Sequence, residues 1–158
     1  MSLSICWFRQ DLRLSDNLAF TEAAQKGQIA PIYILDSHNP QSNMMGRASR
    51  WWLHHSLVSL NKSLEGTLSV FEGDPLPILL QLIAENEVSS ISWNRCYEPW
   101  RIDRDTVIKK TLQEFGINVT TFNSSLLWEP WEVVKGDGSS YKVFTPFYRK
   151  GCLQAAMP

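Results

Sequence analysis

Three short segments concentrate the side chains that could do chemistry. They are Arg9-Gln10-Asp11-Leu12-Arg13, the pair Leu35-Asp36, and the run Trp93-Asn94-Arg95-Cys96-Tyr97-Glu98-Pro99-Trp100-Arg101. Together they set guanidinium groups, carboxylates and amides beside aromatic rings. Such a mixture suits a flat polar molecule, held by stacking and a few directed hydrogen bonds. The patterns of other chemistries are missing. The first segment contains no glycine, so it has no GxGxxG fingerprint, and neither a P-loop nor a GxSxG elbow occurs anywhere. Cys96 has no nearby histidine to generate a thiolate. Cys6, Cys96 and Cys152 form no CxxC or zinc spacing, and the adjacent His54 and His55 cannot share one helix face. No catalytic residue and no metal ligand is assigned.

Most of these residues also fit a plainer role. Arg9, Asp11 and Arg13 suit a salt-bridged loop. Trp51 and Trp52 lie on a leucine-striped helix and read as core and rim packing, while Trp7 and Trp93 lie in apolar runs and read as core. Glu98, in front of Pro99, has no evident structural reason to be there.

The elements that must position these segments alternate in type. Apolar runs at residues 4–8, 29–35, 68–71, 90–93 and 117–122 read as strands. Pro31 is tolerated near the start of the second of them. Between the strands lie helical patterns. One is capped by Asp16 and stopped by Gly27. A second covers residues 47–62, with Leu53, Leu57, Leu60 and Leu64 on one stripe. A third opens on Asp74-Pro75, and a fourth runs from residue 102 to 115 before Gly116. Residues 36–46 read as a polar loop. The alternation predicts an α/β fold: a doubly wound, five-stranded parallel sheet in the order 3-2-1-4-5, Rossmann-like, in three α/β/α layers. Ligands in such sheets bind beyond the carboxyl ends of the strands, at the switch between strands one and four. All three segments emerge there. The rhythm holds over residues 1–123 and breaks in 124–158, an aromatic-rich extension with a Gly136-Asp137-Gly138 turn that stops abruptly at Met157-Pro158.

Composition narrows the function classes. The 158 residues are 44% hydrophobic and 20% charged, which excludes a disordered or low-complexity chain. Fifteen basic residues against sixteen acidic ones give a net charge of -1, a poor basis for gripping DNA by phosphate contacts. No apolar run approaches a membrane span and the N-terminus has no signal-peptide pattern, so a cytoplasmic setting without membrane contact is expected. Seven tryptophans point to a large aromatic core or to a stacking surface.

The run from Trp7 to Asn17 (Trp7-Phe8-Arg9-Gln10-Asp11-Leu12-Arg13-Leu14-Ser15-Asp16-Asn17) resembles the N-terminal signature of the DNA photolyase/cryptochrome family. So do the loop from Trp93 to Trp100 followed by Arg104-Asp105, and the block Tyr141-Lys142-Val143-Phe144-Thr145-Pro146-Phe147. The resemblance covers the α/β domain and the start of the interdomain linker. It implies a domain that binds a light-harvesting antenna chromophore, of deazaflavin or folate type, and is not catalytic alone. FAD, light-driven repair of pyrimidine dimers and damaged-DNA binding belong to a C-terminal helical domain that the resemblance does not cover. That domain, of the same parent chain, is the expected partner, with a weak homo-oligomer through the exposed interdomain face as a further expectation. Carried over to this sequence, the antenna pocket comprises Arg9, Asp11, Leu35, Asp36, Met45, Arg50, Asn94, Cys96, Glu98 and Arg101. The folate pattern has a histidine where Ser42 precedes Asn43-Met44, and an Asn-Glu pair where Trp100-Arg101 stand. Glu98-Pro99 suits the deazaflavin-type loop, although Cys96 stands where an acid would help. A cryptochrome-type photoreceptor domain and a nucleotide-binding module without light function are the alternatives.

Overall fold

The computed structural model describes residues 2–36, 45–123 and 125–157. The chain divides into two compact units, Met1–Ser124 and Ser125–Pro158. The first contains β1 (Leu3–Phe8), α1 (Leu18–Gln25), β2 (Gln28–Leu35), α2 (Arg47–Ser63), β3 (Ser69–Glu72), α3 (Pro75–Glu85), β4 (Val88–Asn94), α4 (Pro99–Glu114) and β5 (Asn118–Phe122). The strands form one parallel sheet in the order β3-β2-β1-β4-β5, as the alternation predicts. Of the polar loop at 36–46, residues 37–44 lie outside the described residues, Ser42 and the Asn43-Met44 pair included.

β1 is central and buried on both faces, which is why it reads as a continuous apolar run. Ile5 and Trp7 join Ile32, Ile34, Ile91 and Trp93 on one face, covered by Leu79 of α3 and by Ile108 and Leu112 of α4. Trp7 and Trp93 meet edge to face with ring centroids 5.5 Å apart, so both belong to this core. Cys6, Phe8 and Tyr33 take the opposite face, under Ala19 and Ala23 of α1 and Leu60 of α2. The alanines let α1 approach closely enough for Ser92 Oγ to donate to the Ala19 carbonyl at 2.8 Å. Pro31 opposes Cys6, and β3 begins pairing only at Ile32, so β2 is still a local edge at the residue that lacks an N–H.

Three local expectations are corrected. The cap of α1 is Asn17, not Asp16. Asn17 Oδ1 accepts from the Phe20 N–H at 3.1 Å, while Asp16 turns the chain in the left-handed region at φ 52°. α4 begins at Pro99 rather than at residue 102, with proline in its first turn, where the missing N–H costs nothing. Trp51 and Trp52 are not core residues: they are 62% and 70% exposed. The leucine stripe alone seats α2, with Leu60 buried and Leu53, Leu57 and Leu64 packed partly against the same cluster. The two indoles project away from that stripe, and Trp51 lies against His55 at 4.3 Å.

The second unit is held by turns and aromatic contacts. Helical turns at Phe144–Pro146, Phe147–Gly151 and Cys152–Gln154 follow one another. Phe144 and Tyr148 stack at 5.8 Å, Tyr141 meets Phe147 at 6.1 Å, and Trp128 Nε1 donates to the Ala156 carbonyl at 2.8 Å. A Cβ at Gly151 would lie 2.6 Å from Val133 Cγ1, so the segment closes only around glycine.

Leu79 is fully buried. Leu79→Ala is expected to destabilise the protein by about 3 kcal/mol, read as a lower urea midpoint at unchanged slope. Trp51→Ala, on the exposed side of α2, is expected to change stability by less than about 0.5 kcal/mol. A large loss at Trp51 would put that indole back in the core.

Candidate functional site

The chain leaving β1 is fixed by one buried carboxylate. Asp11 Oδ1 accepts from the Arg9 backbone N–H at 3.0 Å. Its Oδ2 accepts from Asn17 Nδ2 at 3.1 Å and, closely, from Asn94 Nδ2. Asn94 Nδ2 also donates to Asn17 Oδ1 at 2.8 Å, and Asn17 Nδ2 donates to the Arg13 carbonyl at 2.9 Å. All three side chains are buried. A charge in such a place is sustained only by several directed donors, and Asp11 has three. Only an amide at position 17 both caps α1 and donates to Asp11, which is why the helix starts there and not at Asp16. This cluster ties the exits of β1 and β4 together and fills the crevice at the switch point.

In front of it runs a chain of ions. Arg9 pairs closely with Asp105, Arg104 Nη2 reaches the same carboxylate at 2.9 Å, and Arg104 Nη1 pairs closely with Asp36 at the end of β2. Aromatic faces back these cations. The Arg9 guanidinium lies 4.7 Å from the Trp7 ring centre, Arg104 lies 5.2 Å from that of Trp100, and Arg101 lies 4.9 Å from Trp100. Arg101 Nη1 also sits 3.6 Å from Glu98 Oε1 and 3.3 Å from Cys96 Sγ.

These groups wall a cavity of about 870 Å³ at the carboxyl ends of β1 and β2. β1 and its exit supply Trp7, Arg9, Gln10 and Arg13. β2 supplies Tyr33, Leu35 and Asp36. The start of α2 supplies Arg50 and Trp52, with Met45 just before it, and α4 supplies Trp100, Arg101 and Arg104. The cavity therefore lies beside the β1–β4 crevice rather than in it, because the Asp11 cluster occupies the crevice.

Of the residues named from the sequence, Arg9, Leu35, Asp36, Met45, Arg50 and Arg101 are brought together on this wall. Asp11 and Asn94 stand behind it in the buried cluster. Cys96 and Glu98 are not on the wall: Cys96 is buried against Arg101, and Glu98 precedes Pro99 and accepts from Gln10 Nε2 at 3.1 Å. Burial raises the Glu98 pKa, but its backbone hydrogen bond, Arg101 and Gln10 outweigh this and hold it below the usual carboxylate value. Burial pushes the Tyr33 hydroxyl up, and burial reinforced by the Asp11 charge pushes the Cys6 thiol far up, leaving Cys6 an inert packing group. Trp100 and Arg104, which stand in the sequence motifs but not among the expected pocket residues, also line the wall. Proline at the first helical position was the available signal that α4 already runs through both.

The open parallel sheet in the order β3-β2-β1-β4-β5, with a cation- and indole-walled cavity over its strand ends, defines a doubly wound, Rossmann-like α/β domain. The chain belongs to the DNA photolyase family, whose model matches residues 4–158. It is 42% identical over 149 residues to the deoxyribodipyrimidine photo-lyase of Agrobacterium fabrum, covering 92% of this chain and 30% of that protein. It is 34% identical over 158 residues to cryptochrome-2 of Arabidopsis thaliana, covering 98% and 26%. Among solved structures, a bacterial class III photolyase from Agrobacterium tumefaciens matches with a TM-score of 0.86 at 40% identity, covering 94% of this chain and 31% of that one. An archaeal photolyase from Sulfolobus tokodaii, described with two FAD molecules and the implication of a novel light-harvesting cofactor, matches with a TM-score of 0.81 at 25% identity, covering 99% and 36%. The chain thus spans about a third of the length of these relatives. Among the described residues, no helix is long and apolar enough to cross a membrane.

Asn17→Asp tests the buried cluster. It replaces the donor facing Asp11 with a second carboxylate, and is expected to destabilise the protein by about 2–4 kcal/mol at neutral pH. Like charges raise the folded-state pKa of the new pair above its unfolded value. The penalty is therefore absent at pH below the unfolded carboxylate pKa and grows as pH rises through the folded one. Urea midpoints of variant and parent that differ equally at acidic and neutral pH would contradict the arrangement.

Proposed function

We propose that the cavity holds a light-harvesting chromophore of folate or deazaflavin type, and that the domain serves a photolyase. The rest of that parent chain, a helical domain, would hold FAD, contact damaged DNA and split pyrimidine dimers. The observation that carries this reading is the cavity wall itself. Trp7, Trp100 and Tyr33 offer ring faces or edges, and guanidinium groups offer donors, within about 870 Å³. Trp7 Nε1 and Arg101 Nε, both on wall residues, are buried donors with no hydrogen-bond partner among the described residues. Pteridine and deazaflavin rings carry the carbonyl and ring-nitrogen acceptors that such donors need. The Sulfolobus relative, described with two FAD molecules and the implication of a novel light-harvesting cofactor, supports a light-harvesting role but points to a flavin nucleotide rather than to a folate or deazaflavin.

When bound, the chromophore supplies near-ultraviolet and blue absorption. What this chain's residues do is bind and orient it. Trp100, backed by Arg101 and Arg104, gives a fixed stacking surface. Arg9 and Arg104, tied to Asp105 and Asp36, stay in place without ligand, so little ordering entropy is lost on binding. No residue of this chain is assigned to bond cleavage.

Titration of the purified protein with a reduced folate and with a 5-deazaflavin tests the reading. Saturable one-to-one binding of one of them is expected, weakened about tenfold, or about 1.4 kcal/mol, in Trp100→Ala. Failure of both ring systems to bind would overturn it.

A further inference from the structure

Three indoles line the cavity, and two of them are treated alike. Trp7 carries the guanidinium of Arg9 at 4.7 Å from its ring centre and that of Arg104 at 5.8 Å. Trp100 carries Arg101 at 4.9 Å and Arg104 at 5.2 Å. Cation–π contacts occur roughly once per 70–80 residues, so about two would be expected anywhere in a chain of 158 residues. Here four fall on two rings of one wall. The third wall indole, Trp52, is 70% exposed and shares none of these four. The cations are also poorly screened by solvent: the side chain of Arg9 is 5% exposed and that of Arg104 is 18% exposed. Their carboxylate partners, Asp105 and Asp36, bond the terminal nitrogens, so it is the guanidinium that lies over each ring. Rigid packing would explain one arginine against each indole. It does not call for two on each, nor for Arg104 to serve both.

Indole is an easily oxidised ring, which makes it a poor neighbour for an excited chromophore. One electron passes from the indole to the excited ring, and its return releases the excitation as heat. No bond is made or broken and no proton moves. A cation over the indole face opposes the first step, because the radical cation left on the indole carries a like charge. We infer that Arg9, Arg101 and Arg104 protect the excited state of the bound chromophore: they keep Trp7 and Trp100 hard to oxidise, so the wall can stack on the ring without quenching it. This rests on the chromophore-binding reading above and deepens it. Binding needs only ring faces and donors, whereas passing on absorbed light needs the ring to stay excited while it is held. Arg104, which lies over both indoles, carries the largest share.

The probe is whichever of 5-deazariboflavin and 5,10-methenyltetrahydrofolate binds in the titration above. Its affinity and the fluorescence lifetime of its bound fraction are measured separately. Arg104→Gln is expected to shorten that lifetime about fivefold, and Arg101→Gln, which uncovers Trp100 alone, about twofold. Arg101 is less buried, at 24% exposed, and carries the test where Arg104→Gln does not fold or bind. Adding Trp100→Phe to either variant should restore at least about half of the lost lifetime, because phenylalanine still stacks but resists oxidation. Trp52→Phe should leave the lifetime unchanged. A purely structural role for the arginines predicts weaker binding with the lifetime of the bound fraction intact. That result, or a lifetime that lengthens in Trp52→Phe but not when Trp100→Phe is added, would overturn the inference and leave the chromophore reading standing. Failure of both probes to bind would remove both.

Discussion

A carboxylate sealed inside a protein must be surrounded by donors, and in this domain that requirement organises everything near the site. Asp11 draws its three N–H partners from the backbone leaving β1, from the residue that caps α1, and from the last residue of β4. Satisfying one charge therefore fixes the path of the loop, the start of a helix and the spacing of two strand ends. Arg9 then leaves the sheet in one direction only, towards Asp105, and the ion chain through Arg104 to Asp36 can form. The cavity is where it is because the crevice that parallel sheets usually offer to a ligand is already occupied by this cluster.

Much of this was legible in the sequence, and the reasons differ between elements. The sheet order followed from strict alternation of strands and helices, because buried parallel strands read as unbroken apolar runs. The three strand-end segments were visible because polar and aromatic residues collect there. Pairwise hydrogen-bond chemistry was not visible. Asp16 and Asn17 are both good caps by type, and the choice between them depends on the donor that Asp11, close in sequence, requires and on the acceptor that Asn94, distant in sequence, requires. The start of α4 was misread because Trp100 and Arg101 look like loop chemistry. Proline before them only makes sense as a helix start once Glu98 is seen to accept the first backbone bonds, from Arg101 and Ile102. Trp51 and Trp52 read as core and rim packing because they sit on the leucine-striped helix, but the stripe itself already uses the inward face of α2 and leaves both indoles exposed.

The charge balance of the whole chain hides its distribution. A net charge of -1 describes a nearly neutral surface, yet arginines gather over one end of the sheet and acids are drawn in to hold most of them. Paired arginines of this kind add little net attraction for a distant ligand. They supply a rigid wall.

The central position of β1 bears on how the chain is made. β1 is the first strand to be synthesised, and one of its two neighbours, β4, is the fourth of five: Ser4 and Ser90 meet at a sequence separation of 86. Until β4 has left the ribosome, an apolar strand built for burial on both faces carries one unpaired edge. Closing so long a loop is slow and entropically costly, and the interval exposes the strand to other chains. A nascent or truncated chain ending before residue 94 is thus a species to be shielded by chaperones or removed by proteases, and the integrity of this domain is decided late in its synthesis.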